Sequence, residues 1–438
     1  MIINPEQIKT FVNTNYPYLG VNKQQEVSRL LFEIAKRERI DYTEVAERLP
    51  KPPSRFSLLK DYLLKRRYPS LAVKGHKIRP SFPDISINPA LQVDVTLKPR
   101  INPGNLFIEE SVLHTEMVKR VVAQFPKSNI EIIKTYKEHT EKKQFSIEDY
   151  NRRSENFYLV RENYDFYKRC PCSSKSASCG YFIVNLGSGC VYECSYCVLQ
   201  DYINSPGIIL PANIEDFFLA FQNLKHDIRC GSCELTDSLI FDHITGYSPQ
   251  IVEFFRHYPR STFEFKTKSD NIGLLTSVPG ANNIVVSWSM NPQLIVDTVE
   301  YFTATLPQRL AAAQKCVDCG YRVAFHFDPI IYYPEWEADY ETLINDIFDT
   351  IDGGDIAWIS LGTLRMTPRL KKIIENRFPD NTILDEEFFV GHDGKLRYPR
   401  DVRAFIYKNM TSWIRKRSKD VPVYLCMEEK SMHLDHAT

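Results

Sequence analysis

The chain predicts an α/β protein, an incomplete (β/α)6 barrel of the TIM type preceded by a helical N-terminal module. Two observations carry the barrel. From Tyr181 to Leu361, short apolar stretches alternate with longer amphipathic ones, the pattern of strands joined by helical crossovers. Directly after the first of those stretches comes Cys190-Val-Tyr-Glu-Cys194-Ser-Tyr-Cys197, at the strand end where barrels build their sites. The N-terminal module rests on a third observation. Apolar residues recur at helical spacing from Gln24 to Arg39 (Val27, Leu30, Leu31, Ile34, Ala35) and from Arg55 to Arg67 (Phe56, Leu58, Leu59, Tyr62, Leu63).

In chain order, residues 1–70 form the helical module, and its second helix ends in Lys65-Arg66-Arg67, which reads as a solvated C-terminus favoured by the macrodipole. Residues 71–104 are a linker carrying Pro69, Pro80, Pro83, Pro89, Pro99 and Pro103 in or beside it. Residues 105–180 lead into the barrel, which occupies 181–380, and 381–438 form a C-terminal hairpin and helix. The barrel strands are expected at Tyr181–Leu186, Ser238–Phe241, Thr262–Thr267, Asn283–Ser289, Arg322–Phe327 and Ala357–Leu361. The helices between them are expected at Ile214–Lys225, Pro249–His257, Pro292–Tyr301 with Pro307–Cys319, and Glu337–Ile351.

Composition permits a large core and assigns no polyanion bias. Of 438 residues 43% are hydrophobic, including 26 Phe, 24 Tyr and 4 Trp, and the 55 basic side chains equal the 55 acidic ones. Without a basic leader or a long apolar run the chain reads as cytoplasmic, with no membrane segment. Eleven cysteines in such a chain point to thiolate ligands in a reducing compartment and away from a disulfide framework.

Three thiolates on one tight loop suit three irons of a 4Fe-4S cube and leave the fourth open. A zinc knuckle would instead pair CxxC units and add a fourth Cys or His. The open iron calls for a small molecule that chelates through an amine and a carboxylate. Polar side chains at successive strand ends could hold it: Glu234 and Asp237 for an ammonium, Lys268 for a carboxylate, then Ser289 and Asp328. Asp237 has an equal claim as a turn cap.

The three-cysteine loop resembles the signature of radical S-adenosylmethionine (SAM) enzymes. Further stretches narrow the likeness: Asn185-Leu-Gly-Ser-Gly-Cys190, Cys197-Val-Leu-Gln200, Asp242-His-Ile-Thr245, Trp288-Ser-Met-Asn291, Gly320 to Pro329 and Trp358-Ile-Ser-Leu-Gly362. Over roughly residues 105–410 the chain is similar to the spore photoproduct lyase family. The resemblance implies that Cys190, Cys194 and Cys197 bind a 4Fe-4S cluster and that Tyr196 lies against the adenine of SAM. Thr236, Lys268, Ser289 and Asp328 would line the SAM pocket, and Lys395, Arg397 and Tyr398, with Arg400 beside them, would fall on a lesion-contacting hairpin. It further implies a 5′-deoxyadenosyl radical that takes hydrogen from a substrate such as a pyrimidine lesion in DNA, with electrons from a flavodoxin- or ferredoxin-type donor. A protein, peptide or small-molecule substrate, with the N-terminal module as recognition domain, stands as the alternative.

Two departures bear on how the reaction ends. The position of the family's hydrogen-returning cysteine falls on Glu234, with Cys233 one residue away, and the second tyrosine flanking the third cluster cysteine is Val198. If Cys233 points into the barrel mouth it is the hydrogen donor; if strand alternation turns it outward, Tyr196 or SAM quenches the radical. Cys170, Cys172 and Cys179 could hold a second metal or be small buried residues, as could Cys230, Cys316 and Cys319, and Cys426 reads as a buried small hydrophobe.

Overall fold

The structure is a computed structural model that describes residues 4–51, 53–70, 83–99, 101–163, 166–170, 172, 179–202, 205–224, 226–232, 234–391 and 393–436. The chain divides into two compact units. One comprises residues 1–93, 332–334 and 364–403, and the other 94–331, 335–363 and 404–438. The part of the expected linker at residues 71–82, with Pro80, and the candidate Cys233 lie outside the described residues.

The larger unit is organised by an eight-stranded sheet. Six of its strands follow the expected order and run parallel: Phe182–Ile183, Arg229–Ser232, Thr262–Thr267, Ile284–Ser289, Arg322–Ile330 and Ile356–Thr363. Val423–Leu425 adds a parallel edge strand after the sixth, and Lys168–Arg169 an antiparallel one before the first. Helices Ile214–Gln222, Tyr247–Arg256, Leu306–Asp318 and Trp336–Thr350 make the crossovers. Ile284–Ser289 and Ile356–Thr363 are buried at every residue, as strands covered on both faces must be. No helix among the described residues is long and apolar enough to cross a membrane.

The second barrel strand differs from expectation. It is Arg229–Ser232, and Ser238–Phe241 is a turn leading into the short helix Asp242–Thr245. The Asp237 carboxylate accepts the backbone N–H groups of Leu239 and Ile240, both at 3.0 Å, and so starts a helical turn where the apolar Leu-Ile-Phe run imitates a strand. The end of the Pro292–Tyr301 stretch also departs from helix. After Gln293–Val299, residues Glu300–Tyr301 pair antiparallel with Glu193–Cys194. The lead-in segment builds its own parallel sheet, ordered Asn129–Ile133, Asn105–Glu109, Asn156–Val160, and takes Ile208–Pro211 from the barrel region as its fourth strand.

The smaller unit packs helices Pro5–Asn15, Val21–Glu38, Tyr42–Glu47 and Phe56–Arg67 around Ile8, Val12, Leu31, Ile34, Leu59 and Leu63. It also contains helix Pro368–Arg377 and a three-stranded antiparallel sheet of 365–366, 396–397 and 389–390. The expected C-terminal piece 381–438 is thus shared between the two units. The basic helix end is only partly solvated: Lys65 is exposed, but its two neighbours are not. Arg67 is buried and donates to Glu33 at 2.8 Å, and Arg66 pairs with Glu38. Glu33 also accepts from Arg29 at 2.7 Å and from Lys371 at 2.6 Å, while Arg29 reaches on to Glu375. One buried carboxylate therefore joins three cations from two helices of the module and helix Pro368–Arg377.

Burial works against the Glu33 charge, but Lys371, Arg29 and Arg67 overcome it and hold the carboxyl well below the usual range. Its stabilisation is full above the ordinary glutamate pKa and drains away as pH falls through the lowered folded value. Glu33→Gln should destabilise this unit by about 3–5 kcal/mol, because Arg67 and Lys371 lose the carboxylate they face and Arg29 keeps only Glu375. Thermal unfolding followed by circular dichroism checks this, and an unchanged transition would remove Glu33 from the account.

Candidate functional site

The three cysteines sit on a loop with little secondary structure of its own, so other elements must fix it. At its start Ser188 exchanges two backbone hydrogen bonds with Ile209 of the lead-in sheet, at 2.9 and 2.8 Å. Gly189 has φ +102°, and a Cβ there would stand 3.3 Å from the Ile208 Cα, so this close crossing requires glycine. Its N–H donates to the Leu235 carbonyl at 2.8 Å, and its own carbonyl accepts the Thr236 hydroxyl at 2.7 Å. Midway, the Ser195 N–H donates to the Val299 carbonyl at 2.8 Å beside the Glu193–Cys194 pairing, and the Cys197 N–H closes a turn onto the Cys194 carbonyl at 2.9 Å.

Arg153 is the central fastener. Its buried guanidinium donates to the Cys190 carbonyl at 2.5 Å, the Tyr192 carbonyl at 2.8 Å and the Glu193 carboxylate at 2.7 Å, and lies 4.2 Å from the Tyr150 ring centroid. One planar fork thus holds three residues of the loop. Sequence reading missed it, because it stands far upstream of the motif in an unremarkable polar stretch.

Cys190 and Cys194 are buried and Cys197 half-buried. Burial pushes the Cys190 thiol up to about 12, with the Asp237 charge adding to it, and holds Cys194 and Cys197 above the usual thiol range. Such thiols give up their protons to a cation that takes their place. Among the described residues no three potential ligands are grouped for a single metal ion. A cube asks for something else, since each of its irons takes its own thiolate. Three thiols on one braced loop, two of them buried, with no fourth in the motif, fit a 4Fe-4S cluster with one open iron.

A buried charge cluster backs the loop. The Glu300 carboxylate accepts from Arg309 at 2.7 Å, from the Asn291 amide at 2.8 Å and from the Tyr196 hydroxyl. Tyr340 in turn donates to Asn291 at 2.6 Å. Burial disfavours the Glu300 charge, yet Arg309 and Lys268 keep its carboxyl below the ordinary range. The Lys268 ammonium lies 5.7 Å from the Tyr196 ring centroid. Burial opposes its charge, and Glu300 and Cys194 more than offset that, so its pKa stands above the ordinary lysine value. Glu300, Arg309 and Asn291 were not singled out in the sequence, where Glu300 reads as the end of a helix.

The remaining candidates divide. Asp237 is saturated: besides Leu239 and Ile240 it accepts the Thr267 hydroxyl at 2.6 Å and the Lys268 N–H at 2.7 Å, so it braces two strand ends. Thr236 braces Gly189. Glu234 is half-buried and has no hydrogen-bond or ion-pair partner among the described residues. Ser289 ends the fourth barrel strand and is buried, and Asp328 lies near the end of the fifth. Lys395, Arg397 and Tyr398 belong to the smaller unit. Arg397 is buried against Asp393 at 2.6 Å, and Tyr398 is buried, stacked on Phe388 with centroids 4.8 Å apart, its oxygen accepting the Tyr332 N–H at 3.1 Å. Lys395 is half-buried and Arg400 exposed. The hairpin therefore does not offer Arg397 or Tyr398 to solvent.

A model of the family described as "Spore photoproduct lyase" matches residues 101–418. A spore photoproduct lyase of a Geobacillus species is 26% identical over 214 residues, which cover 47% of this chain and 63% of that protein. One from Clostridium acetobutylicum is 23% identical over 273 residues, covering 59% of this chain and 79% of that protein. Among solved structures, spore photoproduct lyase complexed with dinucleoside spore photoproduct superposes with a TM-score of 0.64 at 20% identity, over 75% of this chain and 100% of that one. That likeness shows the fold, a partial barrel.

Removing the fastener should unseat the loop while the barrel survives. In Arg153→Ala, two buried carbonyls and Glu193 lose their donor, at a cost of about 3–5 kcal/mol for the broken buried pair. After anaerobic reconstitution the variant should carry less iron and sulfide per chain than the parent. Full incorporation would show that the loop stands without Arg153.

Proposed function

Since the chain belongs to the spore photoproduct lyase family, we propose that it is a radical SAM enzyme that repairs a pyrimidine lesion of DNA. The observation that carries this reading is the braced loop of Cys190, Cys194 and Cys197 beside the charged Lys268 and the carboxylate of Glu234, which has no partner among the described residues. A cluster and SAM, when bound, supply an electron and a sulfonium whose reductive cleavage yields a carbon radical able to take hydrogen from a substrate.

The protein's own residues bind and position. Cys190, Cys194 and Cys197 hold three irons. Glu234 accepts the SAM ammonium, as an ionised carboxylate suits a charged donor. Lys268, Ser289 and Asp328 line the remainder of the pocket. Tyr196 is held by Glu300, which accepts a hydrogen bond from its hydroxyl and fixes the ring. Asp237 and Thr236 act one step back, by fixing Lys268 and Gly189.

Glu234 occupies the position of the family's hydrogen-returning cysteine but cannot replace it, because a carboxylic O–H bond is too strong to yield hydrogen to a carbon radical. A thiol S–H is weak enough. Cys233 is the donor if it faces the mouth; otherwise quenching falls to SAM or to Tyr196. A low-potential donor of flavodoxin or ferredoxin type supplies the electron, and the reducing conditions this thiol chemistry needs fit a cytoplasmic location.

A second reading draws on the enclosure of Arg397 and Tyr398 and on the helical core outside the matched residues. In it the substrate is a protein, peptide or small molecule, recognised by the N-terminal module.

Reconstituted protein with dithionite and SAM should release 5′-deoxyadenosine, and the triple variant Cys190→Ala, Cys194→Ala, Cys197→Ala should not. Release by the triple variant would sink the assignment. Dinucleoside spore photoproduct added to the wild type should be converted to thymine dinucleoside; SAM cleavage without conversion favours the second reading. Glu234→Ala should weaken SAM binding on the order of tenfold, about 1.4 kcal/mol, at unchanged cluster content. Cys233→Ala that cleaves SAM and forms adducts in place of thymines identifies Cys233 as the donor, whereas normal product assigns it a packing role.

A further inference from the structure

The two edges of the eight-stranded sheet each end in cysteine. Cys170 directly follows the edge strand Lys168–Arg169, and Cys426 directly follows the opposite edge strand Val423–Leu425. Each continues its strand's pairing by one residue, the Cys170 N–H donating to the Tyr181 carbonyl at 2.9 Å and the Cys426 N–H to the Leu361 carbonyl at 2.7 Å. In a curled, incomplete barrel the edge strands face each other across a gap. The interior shows how near they come. Arg229 of the second barrel strand donates to the Tyr424 hydroxyl at 3.0 Å, lies 3.8 Å from the Trp358 ring centroid and stands 5.2 Å from that of Tyr181. Tyr181 and Tyr424, the pairing partner of one cysteine and the near neighbour of the other, thus meet around one guanidinium.

Two of the cysteines are already close. The Cys172 N–H folds back onto the Cys170 carbonyl at 2.8 Å, and their sulfurs are 3.5 Å apart. Two thiolates on one tetrahedral zinc, each at about 2.3 Å, stand about 3.8 Å from each other. The two sulfurs share a hydrogen bond, and the Cys426 and Cys179 sulfurs lie within electrostatic reach of Cys170. Clustered thiols of this kind are relieved by a soft cation. Cys179 opens the return arm of the same hairpin, just before Tyr181. No three of these groups are gathered at ion-binding distance among the described residues, so binding must draw Cys179 and Cys426 onto the Cys170–Cys172 pair.

We propose that Cys170, Cys172, Cys179 and Cys426 form a second metal centre, a four-thiolate structural zinc site that joins the two edges of the incomplete barrel. It is separate from the cluster loop and shares none of its ligands. Zinc enters without change of oxidation state: four S–H bonds are lost, four Zn–S bonds form and four protons pass to solvent. With all four positions filled by protein, the ion has no place for substrate and acts as a clasp. The clasp would bring the chain near Cys426 to the lead-in hairpin, closing the gap that hydrogen bonds leave open.

The test uses the full-length wild-type protein, whose zinc and iron are counted separately by mass spectrometry. One zinc per chain is expected beside the cluster iron, with only sulfur at about 2.3 Å in X-ray absorption at the zinc edge. Cys426→Ser and Cys172→Ser should each lose the zinc and keep the cluster iron. Should Cys426→Ser fold poorly, cobalt added to metal-free wild-type protein still reads the ligands, since tetrahedral thiolate coordination gives intense sulfur-to-cobalt charge-transfer bands. Absence of zinc, zinc retained in both variants, nitrogen or oxygen in its first shell, iron in its place, or a Cys170–Cys172 disulfide in the isolated protein would each overturn the proposal.

Discussion

The site depends on one buried guanidinium. A loop that would carry three thiols for one inorganic core has little secondary structure of its own, so most of its backbone groups must be satisfied from outside. Arg153 does this for Cys190, Tyr192 and Glu193 together. Ser188–Ile209 and the Glu193–Cys194 pairing with Glu300–Tyr301 fix the two sides. The same pairing brings Glu300 under the loop, where it holds Tyr196 and offsets Lys268 and Arg309. The barrel supplies the strand ends, but the lead-in sheet and the residues after the fourth strand hold the cysteines in place.

What was legible in the sequence follows from what each feature depends on. The parallel strands Ile284–Ser289 and Ile356–Thr363 announce themselves by a largely apolar run, because burial on both faces demands it, and Thr262–Thr267 and Arg322–Ile330 by aromatic and β-branched residues. Arg229–Ser232 does not, since it holds an arginine, a glycine and a serine and is a strand only through its neighbours. Ser238–Phe241 reads as a strand for the opposite reason, its apolar residues being buried in a turn that Asp237 caps. The cluster cysteines are legible because their spacing is the chemistry. Arg153, Glu300 and Arg309 are not, because a partner that acts through space leaves no periodicity behind.

The smaller unit shows the same division. Its helices are plain from their spacing, but the burial of Arg67 and Arg29 is not, because it rests on Glu33 and on Lys371 and Glu375, more than three hundred residues along the chain. Tyr398 and Arg397 carry the residue types of a surface that grips nucleic acid, yet Phe388, Tyr332 and Asp393 enclose them. Only packing distinguishes a basic-aromatic grip from a basic-aromatic core. Likewise Cys426, alone in the sequence, acquires company because the sheet order places it opposite Cys170.

The central claim is that three thiols leave one iron open and that SAM takes it. Mössbauer spectroscopy of the 57Fe-reconstituted protein, with and without SAM, tests this most directly. The account predicts a cubane spectrum in which one iron in four changes its isomer shift when SAM is added while the other three stay as they were. A spectrum indifferent to SAM, or four equivalent irons throughout, would contradict it.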